Sequence, residues 1–367
     1  MIDSHYDWQV KHVDQPAAAA QEAAEQLKID PMIAQILINR GYDTTEKMQT
    51  FLSPDLSQLH DPLAMHDMQK GVERIQTAIM NAEKVTIYGD YDADGVTSTA
   101  IMYETLDQLG ANVDYFIPNR FVDGYGPNTA AFERLIEGGT KLIVTVDNGV
   151  SGHDAIARAN ELGCDVVVTD HHELPEELPD AAAVIHPRHP DGNYPFGGLS
   201  GAGVAFKVAT VLLEEVPQEL LDLAAIGTVA DLVPLVDENR VLVSLGLQIL
   251  AQTDRLGLVN LMQGAGIDPS RLTEQSIGFG IAPRLNALGR LDDAAPAVEL
   301  LTTLDDQRAS ELAQLTEKQN KYRQQLVADI SETALTQAQD AAHSAHPALV
   351  ITGEHWHEGV LGIVASK

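Results

Sequence analysis

Short apolar runs alternate with amphipathic segments along the chain from residue 84 onward. The segments between the runs, such as Ser98–Leu109 and Gly152–Leu162, have helical spacing. This alternation predicts an α/β fold, in which a mostly parallel sheet is flanked by helices and binds its ligands at the carboxyl ends of the strands. The predicted strands are Lys84–Tyr88, Asn112–Ile117, Lys141–Val146, Asp165–Thr169 and Ala182–Ile185.

The pattern changes on both sides of this region and predicts four parts. Residues 1–80 carry helical patterns, including an alanine-rich stretch, and predict an N-terminal segment packed on the core. Residues 81–304 are predicted to form the α/β domain. Residues 305–342 have apolar residues at helical spacing and no Gly or Pro, which predicts one long connector helix. Residues 343–367 start a further, incomplete domain with an apolar strand, ALVIT.

Composition restricts the class of protein. The single cysteine, Cys164, excludes an intramolecular disulfide, and the sequence shows neither a signal peptide nor an apolar run long enough for a membrane span. We therefore expect a cytoplasmic protein without membrane contact. Lys plus Arg total 23 and Asp plus Glu total 54, a formal charge of −31, whereas nucleic-acid binders are usually basic. Binding of a polyanion would then depend on bound cations and on a few arginines within a cleft.

Acids and histidines follow three of the predicted strands, and one more acid lies in an apolar run further along. So many acids at one edge of a sheet would repel each other unless cations hold them. Carboxylates with imidazoles suit Mn²⁺ or Mg²⁺, and a pair of such ions can activate water and clamp a phosphoryl group. The residues are Asp90, Asp92, Asp94, Asp147, Asp170, His171, His172 and Asp231.

Each cluster has an ordinary structural interpretation when taken alone. The D-x-D-x-D-G segment could bind calcium, but Ile101 stands where such a loop needs glutamate. Asp-His-His and Asn-Gly are common in turns, and Asp231 could cap a helix. The glycine-rich GLSGAG lacks the context of a nucleotide loop, which favours a close-packed turn beside the site. Three clusters at equivalent strand ends favour the metal site.

Four segments carry a family resemblance: YGDYDADGVTSTA, VTVDNG, VVVTDHHE and GTVADLVPL. They resemble the motifs of the DHH phosphoesterases, which are named for the triplet Asp170-His171-His172. IPNRFVDGYG and FGIAPRLNALGRLDDA are most similar to the single-strand-specific exonucleases of that family. The closing HWHEGVLGIVASK resembles the start of the family's DHHA1 domain.

The resemblance implies a role for each motif residue. Asp147 would bridge two ions, and His172 would contact the scissile phosphate. Many family members begin the first motif with a histidine where this chain has Tyr88. One ion would be held by Asp94, His171 and Asp231, and the other by Asp92 with Asp90. The implied nucleic-acid and phosphate contacts are Arg120, Arg284, Asn286 and Arg290.

The implied function is 5′-to-3′ hydrolysis of single-stranded DNA by a two-metal mechanism, in recombination and repair. We expect a monomer whose partners are single-stranded DNA with a 5′ end and other repair or single-strand-binding proteins. One alternative is a DHH-family phosphodiesterase acting on short oligonucleotides or cyclic dinucleotides. Another is an inactive scaffold, which the presence of every motif aspartate and of both histidines argues against.

Overall fold

The computed structural model describes residues 17–339 and 348–366, which form two units, one ending at Leu59 and the other beginning at His60. The first unit is helical, as the sequence predicts. Its core contains Ala20, Ala34, Leu37 and Met48. Its helices are α1 (Ala18–Leu27), α2 (Pro31–Asn39) and α3 (Thr45–Leu52), followed by a 3₁₀ turn at Leu56–Gln58.

The second unit is built on one five-stranded sheet in which every neighbouring pair is parallel. The strand order is β2-β1-β3-β4-β5, so the chain changes direction across the sheet between β1 and β3. Such a switch point leaves a crevice at the carboxyl ends of the strands. All five predicted strands are confirmed, with ends shifted by at most one residue. They are β1 (Lys84–Tyr88), β2 (Asn112–Phe116), β3 (Thr140–Val146), β4 (Asp165–Thr169) and β5 (Ala183–Ile185).

Helices cover both faces of the sheet, which explains why its strands are almost continuously apolar. Helices α6 and α7 pack on one face, where Phe132 and Ile156 contact strand residues such as Ile143 and Val166. Helices α4, α5 and α8 pack on the other. The helices up to the end of α9 are α4 (Met68–Met80), α5 (Ala93–Gln108), α6 (Thr129–Glu137), α7 (His153–Glu161), α8 (Gly201–Leu212) and α9 (Leu221–Ala230).

The rest of this unit is helical and contains the predicted long helix, α14, which begins where Asp305 accepts a hydrogen bond from the backbone of Arg308. Helix α14 packs on α11, α12 and α13, and its far end packs on α15. The predicted end of the helix, at residue 342, lies outside the described residues. The remaining helices are α10 (Asp237–Leu250), α11 (Leu256–Ala265), α12 (Ala282–Leu291), α13 (Ala295–Thr302), α14 (Asp306–Ala338) and α15 (Glu358–Ala365).

The strand predicted at ALVIT is wrong, because residues 348–352 have no regular secondary structure. An apolar run becomes a strand only when a neighbouring strand takes its hydrogen bonds, and the sheet described above ends at β5. The predicted domain boundaries at residues 80, 304 and 342 remain predictions. No helix within residues 17–339 and 348–366 is long and apolar enough to cross a bilayer.

Candidate metal centre

The acid-rich segment after β1 provides the cap of helix α5. The carboxylate of Asp92 accepts hydrogen bonds from the backbone N–H groups of Asp94 and Gly95, both at 3.0 Å. The helix therefore begins at Ala93, earlier than the predicted start at Ser98. A carboxylate at this position satisfies N–H groups that no helical carbonyl can reach. Capping thus places Asp92 at the start of the helix and Asp94 in its first turn.

Asp94 is held by the start of a second helix, α8. Its two carboxylate oxygens accept hydrogen bonds from the backbone N–H groups of Gly201 and Ala202, at 2.7 and 2.8 Å. A helix N-terminus favours a negative charge, so this contact fixes the carboxylate and offsets part of its charge. A Cβ atom at Gly227 would collide with the Asp94 carboxylate, which explains the glycine in the apolar run before Asp231.

Asp147 directly follows β3 and occupies the left-handed region, with φ of 60°. Its side chain packs against Gly201, where an added Cβ would lie 2.6 Å from both Cβ and Cγ of Asp147. The predicted close-packed glycine turn therefore lies against the carboxylate of Asp147. The next residue, Asn148, donates hydrogen bonds to the carbonyl oxygens of Gly89 and Val146, both at 2.9 Å. This amide joins the ends of β1 and β3 across the switch point.

Asp170, the first residue of the triplet after β4, organises the turn that carries both histidines. It accepts hydrogen bonds from the backbone N–H groups of Val150, His171 and His172, at 3.0, 2.7 and 3.1 Å. The ring Nδ1 of His172 is a fourth partner, at 2.8 Å, and Nε2 of the same ring lies 3.0 Å from the hydroxyl of Tyr125. Sequence patterns assign no individual role to Asp170 or Tyr125.

A loop after β5 contacts the backbone of the same turn. Arg188 donates hydrogen bonds to the carbonyl oxygens of His171 and His172, at 2.6 and 3.0 Å. A ring nitrogen of His186 lies 2.9 Å from the His172 carbonyl oxygen. Sequence patterns give no signal for these contacts, since they join a loop side chain to backbone atoms.

Ligand atoms from the separate motifs converge around His171. Its Nε2 lies 3.1 Å from Asp147 Oδ1, 3.7 Å from Asp231 Oδ2 and 3.8 Å from Asp94 Oδ2. His171 Nε2 and Asp147 Oδ1 are buried and have no hydrogen-bond partner. Three overlapping groups have ligand atoms within 4.8 Å of one another: Asp94–His171–Asp231, Asp90–Asp92–Asp147 and Asp147–His171–His172.

The predicted ligands fit metal ions, because their ligand atoms lie close together and two of them, on His171 and Asp147, are buried and unpaired. Unpaired buried polar atoms are costly, and a cation would satisfy both His171 Nε2 and Asp147 Oδ1. Asp147 belongs to two of the groups, as expected for a shared ligand. Tyr88 is fully buried and its hydroxyl donates to the carbonyl oxygen of Gly126 at 3.0 Å, so it takes no part in these groups.

Burial and mutual repulsion make the acids difficult to ionise without cations. Burial, with the charge of Asp92 next, raises the pKa of Asp90 to about 7. Burial, with Asp231 and Asp92 next, raises the pKa of Asp94 to about 8, and burial also raises that of Asp147 well above its usual range. Burial lowers the pKa of His171 to about 4, which keeps the imidazole neutral and able to bind a metal.

These shifts predict that the metal-free protein loses stability as the pH rises from about 6.5 to about 9. Asp94 ionises near pH 3.8 when unfolded but near 8 when folded, so rising pH favours unfolding. The hydrogen bond with Asp170 raises the pKa of His172 from 6.5 to about 9. The stabilisation that this bond provides is therefore lost as the pH rises from about 6.5 to about 9. Melting temperatures measured in a chelator should fall, and excess Mn²⁺ should remove most of the fall. A metal-free melting temperature that rises across this range would contradict the electrostatic description.

A cavity of about 140 Å³ adjoins the acids and is lined by Arg120, Arg290, Asn286 and Asp92, among others. The guanidinium of Arg120 stacks over the ring of Tyr91, 4.2 Å from its centre, and its buried Nε has no hydrogen-bond partner. Asn286 positions the first motif by accepting a hydrogen bond from the backbone of residue 93 at 2.8 Å. The structure thus brings three of the four predicted phosphate-binding residues together.

The fourth, Arg284, lies elsewhere. Its guanidinium pairs with Glu317 of helix α14 at 2.7 Å and donates to the carbonyl oxygen of Gly280 at 2.7 Å. Arg323, also on α14, is not among the predicted residues. Burial and the nearby guanidinium groups of Arg120 and Arg323 lower the pKa of Arg290. Several positive charges therefore face one another beside an acidic centre, in an arrangement that an anion would stabilise.

The chain is similar to known proteins of one family. The profile of the DHH family, N-terminal domain, matches residues 84–228. The single-stranded-DNA-specific exonuclease RecJ of Bacillus subtilis is 47% identical over 367 residues, which is all of this chain and 46% of that protein. The chain spans between 46% and 62% of the first three curated relatives.

Two solved structures share the fold. A crystal structure of exonuclease RecJ bound to manganese is 35% identical, with a TM-score of 0.77, and the match covers 85% of this chain and 78% of that one. A structure of RecJ in complex with Mn²⁺ from Thermus thermophilus is 33% identical, with a TM-score of 0.82, covering 96% of this chain and 51% of that one.

Proposed function

The chain belongs to the DHH family, and on that basis we propose that it is a metal-dependent exonuclease that degrades single-stranded DNA from its 5′ end, in recombination and repair. One observation carries the proposal: unpaired ligand atoms of Asp147 and His171 converge at the switch point of the sheet, beside a cavity lined by Arg120 and Arg290. Metal ligands next to guanidinium groups suit the hydrolysis of a phosphodiester.

Two Mn²⁺ or Mg²⁺ ions are the proposed cofactors, in keeping with the ions named for the solved relatives. Asp94, His171 and Asp231 would hold one, Asp90 and Asp92 the other, and Asp147 would be shared. When bound, such ions would lower the pKa of water and neutralise charge that develops on the phosphoryl oxygens.

His172 is the proposed contact to the scissile phosphate. Its hydrogen bond with Asp170 raises its pKa to about 9, so the ring carries a proton on each nitrogen at neutral pH. Asp170 holds Nδ1, which leaves Nε2 to donate toward the cleft. There it faces the half-exposed Tyr125 hydroxyl, whose place a phosphate oxygen would take. The imidazolium would thus stabilise negative charge on the phosphate.

The cavity lined by Arg120 and Arg290 is the proposed site of 5′-end recognition. An enzyme that starts at a 5′ end must recognise a group absent from the strand interior, and the additional charge of a terminal phosphate is the simplest such group. Arg120 and Arg290 line a cavity of about 140 Å³, together with Gly289 and Ala230. Anchoring the terminal phosphate there would fix which phosphodiester meets Asp147 and His172.

Arg120→Ala and Arg290→Ala are each expected to slow degradation of 5′-phosphorylated strands by roughly ten- to a hundredfold, since a charge-assisted hydrogen bond is worth about 1.5–3 kcal/mol. The loss should be much smaller on 5′-hydroxyl strands. Arg271, whose side chain is 86% exposed, provides a matched control as Arg271→Ala. Equal losses on both substrates would refute the assignment of the cavity.

The function itself is tested with strands labelled at either end. Incubation with Mn²⁺ should release mononucleotides from the 5′ end of a long single strand, and leave duplex DNA largely intact. Digestion from the 3′ end would overturn the proposed polarity. Hydrolysis of a dinucleotide or a cyclic dinucleotide without attack on long strands would instead support the alternative phosphodiesterase.

A further inference from the structure

A second group of metal-ligating side chains lies on the far side of the loop that follows β5. It contains His66, just before α4, together with His189 and Asp191. One nitrogen of each histidine and one carboxylate oxygen of Asp191 lie within 4.8 Å of one another. The two imidazole rings are nearly parallel, at 9°, with centres 3.9 Å apart. None of these residues belongs to the DHH motifs.

A tight turn presents two of the three ligands. The segment His-Pro-Asp-Gly has proline and glycine where a type I turn favours them, and the N–H of Gly192 donates to the His189 carbonyl oxygen at 2.9 Å. Within the turn, the N–H of Asp191 donates to Nδ1 of His189 at 3.2 Å. A Cβ at Gly192 would lie 3.2 Å from Cβ of His66, so glycine permits this close approach. The turn therefore places His189 and Asp191 next to each other and close to His66.

One imidazole nitrogen of this group is buried and has no hydrogen-bond partner. Nδ1 of His66 has no hydrogen-bond partner, and Oδ1 of Asp67, 3.4 Å away, is not aligned to form one. The other carboxylate oxygen of Asp67 accepts a hydrogen bond from the backbone of Val184 at 2.9 Å. His189 is itself only 8% exposed. A buried imidazole nitrogen without a partner is unfavourable unless it has a ligand.

We propose that His66, His189 and Asp191 bind one Zn²⁺ ion or a similar borderline transition metal. Two imidazoles and one carboxylate form a ligand set that zinc accepts, with a position left for water. This set has more nitrogen and less charge than the acidic centre, so it favours Zn²⁺ over Mn²⁺ and Mg²⁺. The two parallel rings must tilt toward each other for their lone pairs to converge, and the exposed Asp191 can follow them.

The ion would stabilise the loop that holds the turn containing His171 and His172. His189 lies next to Arg188, which holds the carbonyl oxygens of His171 and His172, and close to His186, which contacts His172. Fixing His189 to the segment before α4 would therefore restrain the loop behind the Asp-His-His triplet. His66 and His189 act here as positioning residues, remote from the substrate.

Zinc stoichiometry tests the proposal independently of nuclease activity. Metal-free protein is titrated with Zn²⁺ by calorimetry, and tightly bound zinc is counted after gel filtration. His66→Ala/His189→Ala should bind one equivalent fewer than wild type, whereas His153→Ala, which changes a histidine on α7, should bind the same number. An unchanged stoichiometry in the double variant would overturn the proposal.

A milder substitution guards against misfolding of the double variant. Asp191 is exposed, so Asp191→Asn should keep the melting temperature of the metal-free protein. It should weaken one class of Zn²⁺ site by roughly a hundredfold or more, since loss of an outer-shell partner alone typically costs about 10–100-fold. Identical zinc isotherms for Asp191→Asn and wild type would refute the role of this carboxylate.

Discussion

Replacing Asp147 with asparagine is expected to abolish Mn²⁺-dependent hydrolysis and to leave the fold intact. Its carboxylate is shared by two of the three ligand groups, and Oδ1 lies 3.1 Å from Nε2 of His171. Loss of a partner one shell further out typically costs about 10–100-fold, so loss of a shared ligand should cost on the order of 1,000-fold or more. Asparagine tolerates the left-handed backbone at this position, with φ of 60°, better than alanine would.

The same variant should be at least as stable as wild type when metal is absent, because it replaces a buried carboxyl group whose ionisation is opposed by burial and by the neighbouring acids. The stabilisation that Mn²⁺ gives to the wild-type protein should largely disappear. Nuclease rates and melting curves, with and without a chelator, measure both effects. Asp114→Asn, at an exposed strand position, is the control. Turnover near the wild-type rate would rule out a bridging role for Asp147.

Gly201→Ala should lower the turnover rate by on the order of 100-fold, although alanine favours a helix more than glycine does. The new methyl carbon would lie 2.6 Å from Cβ of Asp147, so the whole side chain and part of its backbone must move. A displacement of about 1 Å in a reacting site can cost roughly 100-fold. Circular dichroism should remain that of wild type.

Gly203→Ala is the matched control for this substitution. It changes a glycine in the same helical turn, where the added carbon would lie 3.2 Å from a terminal methyl group of Leu199. That flexible side chain can adjust, so we expect activity within about threefold of wild type. If Gly201→Ala also retained such activity, close packing against Asp147 would have no catalytic importance.

The sheet can be predicted from sequence because each strand is a short apolar run with a clear end. Burial on both faces produces that pattern, and the chemistry falls where the runs stop. The predicted start of α5, at Ser98, is too late because an acid-rich segment resembles a loop unless the capping role of Asp92 is recognised. The prediction of a strand at residues 348–352 is wrong, because local hydrophobicity does not supply a neighbouring strand for hydrogen bonding.

The candidate ligands can also be named from the sequence, but the residues that hold them in place cannot. Asp170 belongs to the triplet that names the family, yet only coordinates show that it bonds three backbone N–H groups and the ring of His172. In the same way, sequence cannot distinguish Arg290, which lines the cavity, from Arg284, which pairs with Glu317 on α14. Contacts between residues far apart in the chain decide these roles.

The dispersed origin of the ligands has a consequence for folding kinetics. They come from the start of α5, the ends of β3 and β4, and the residue after α9, and they meet only once the sheet is assembled. Contacts between such distant segments form late, so the metal centre should be largely absent from the folding transition state. Bound ions should therefore slow unfolding while hardly changing the rate of folding. A loaded molecule would resist proteases that attack the opened chain for as long as its ions remain bound.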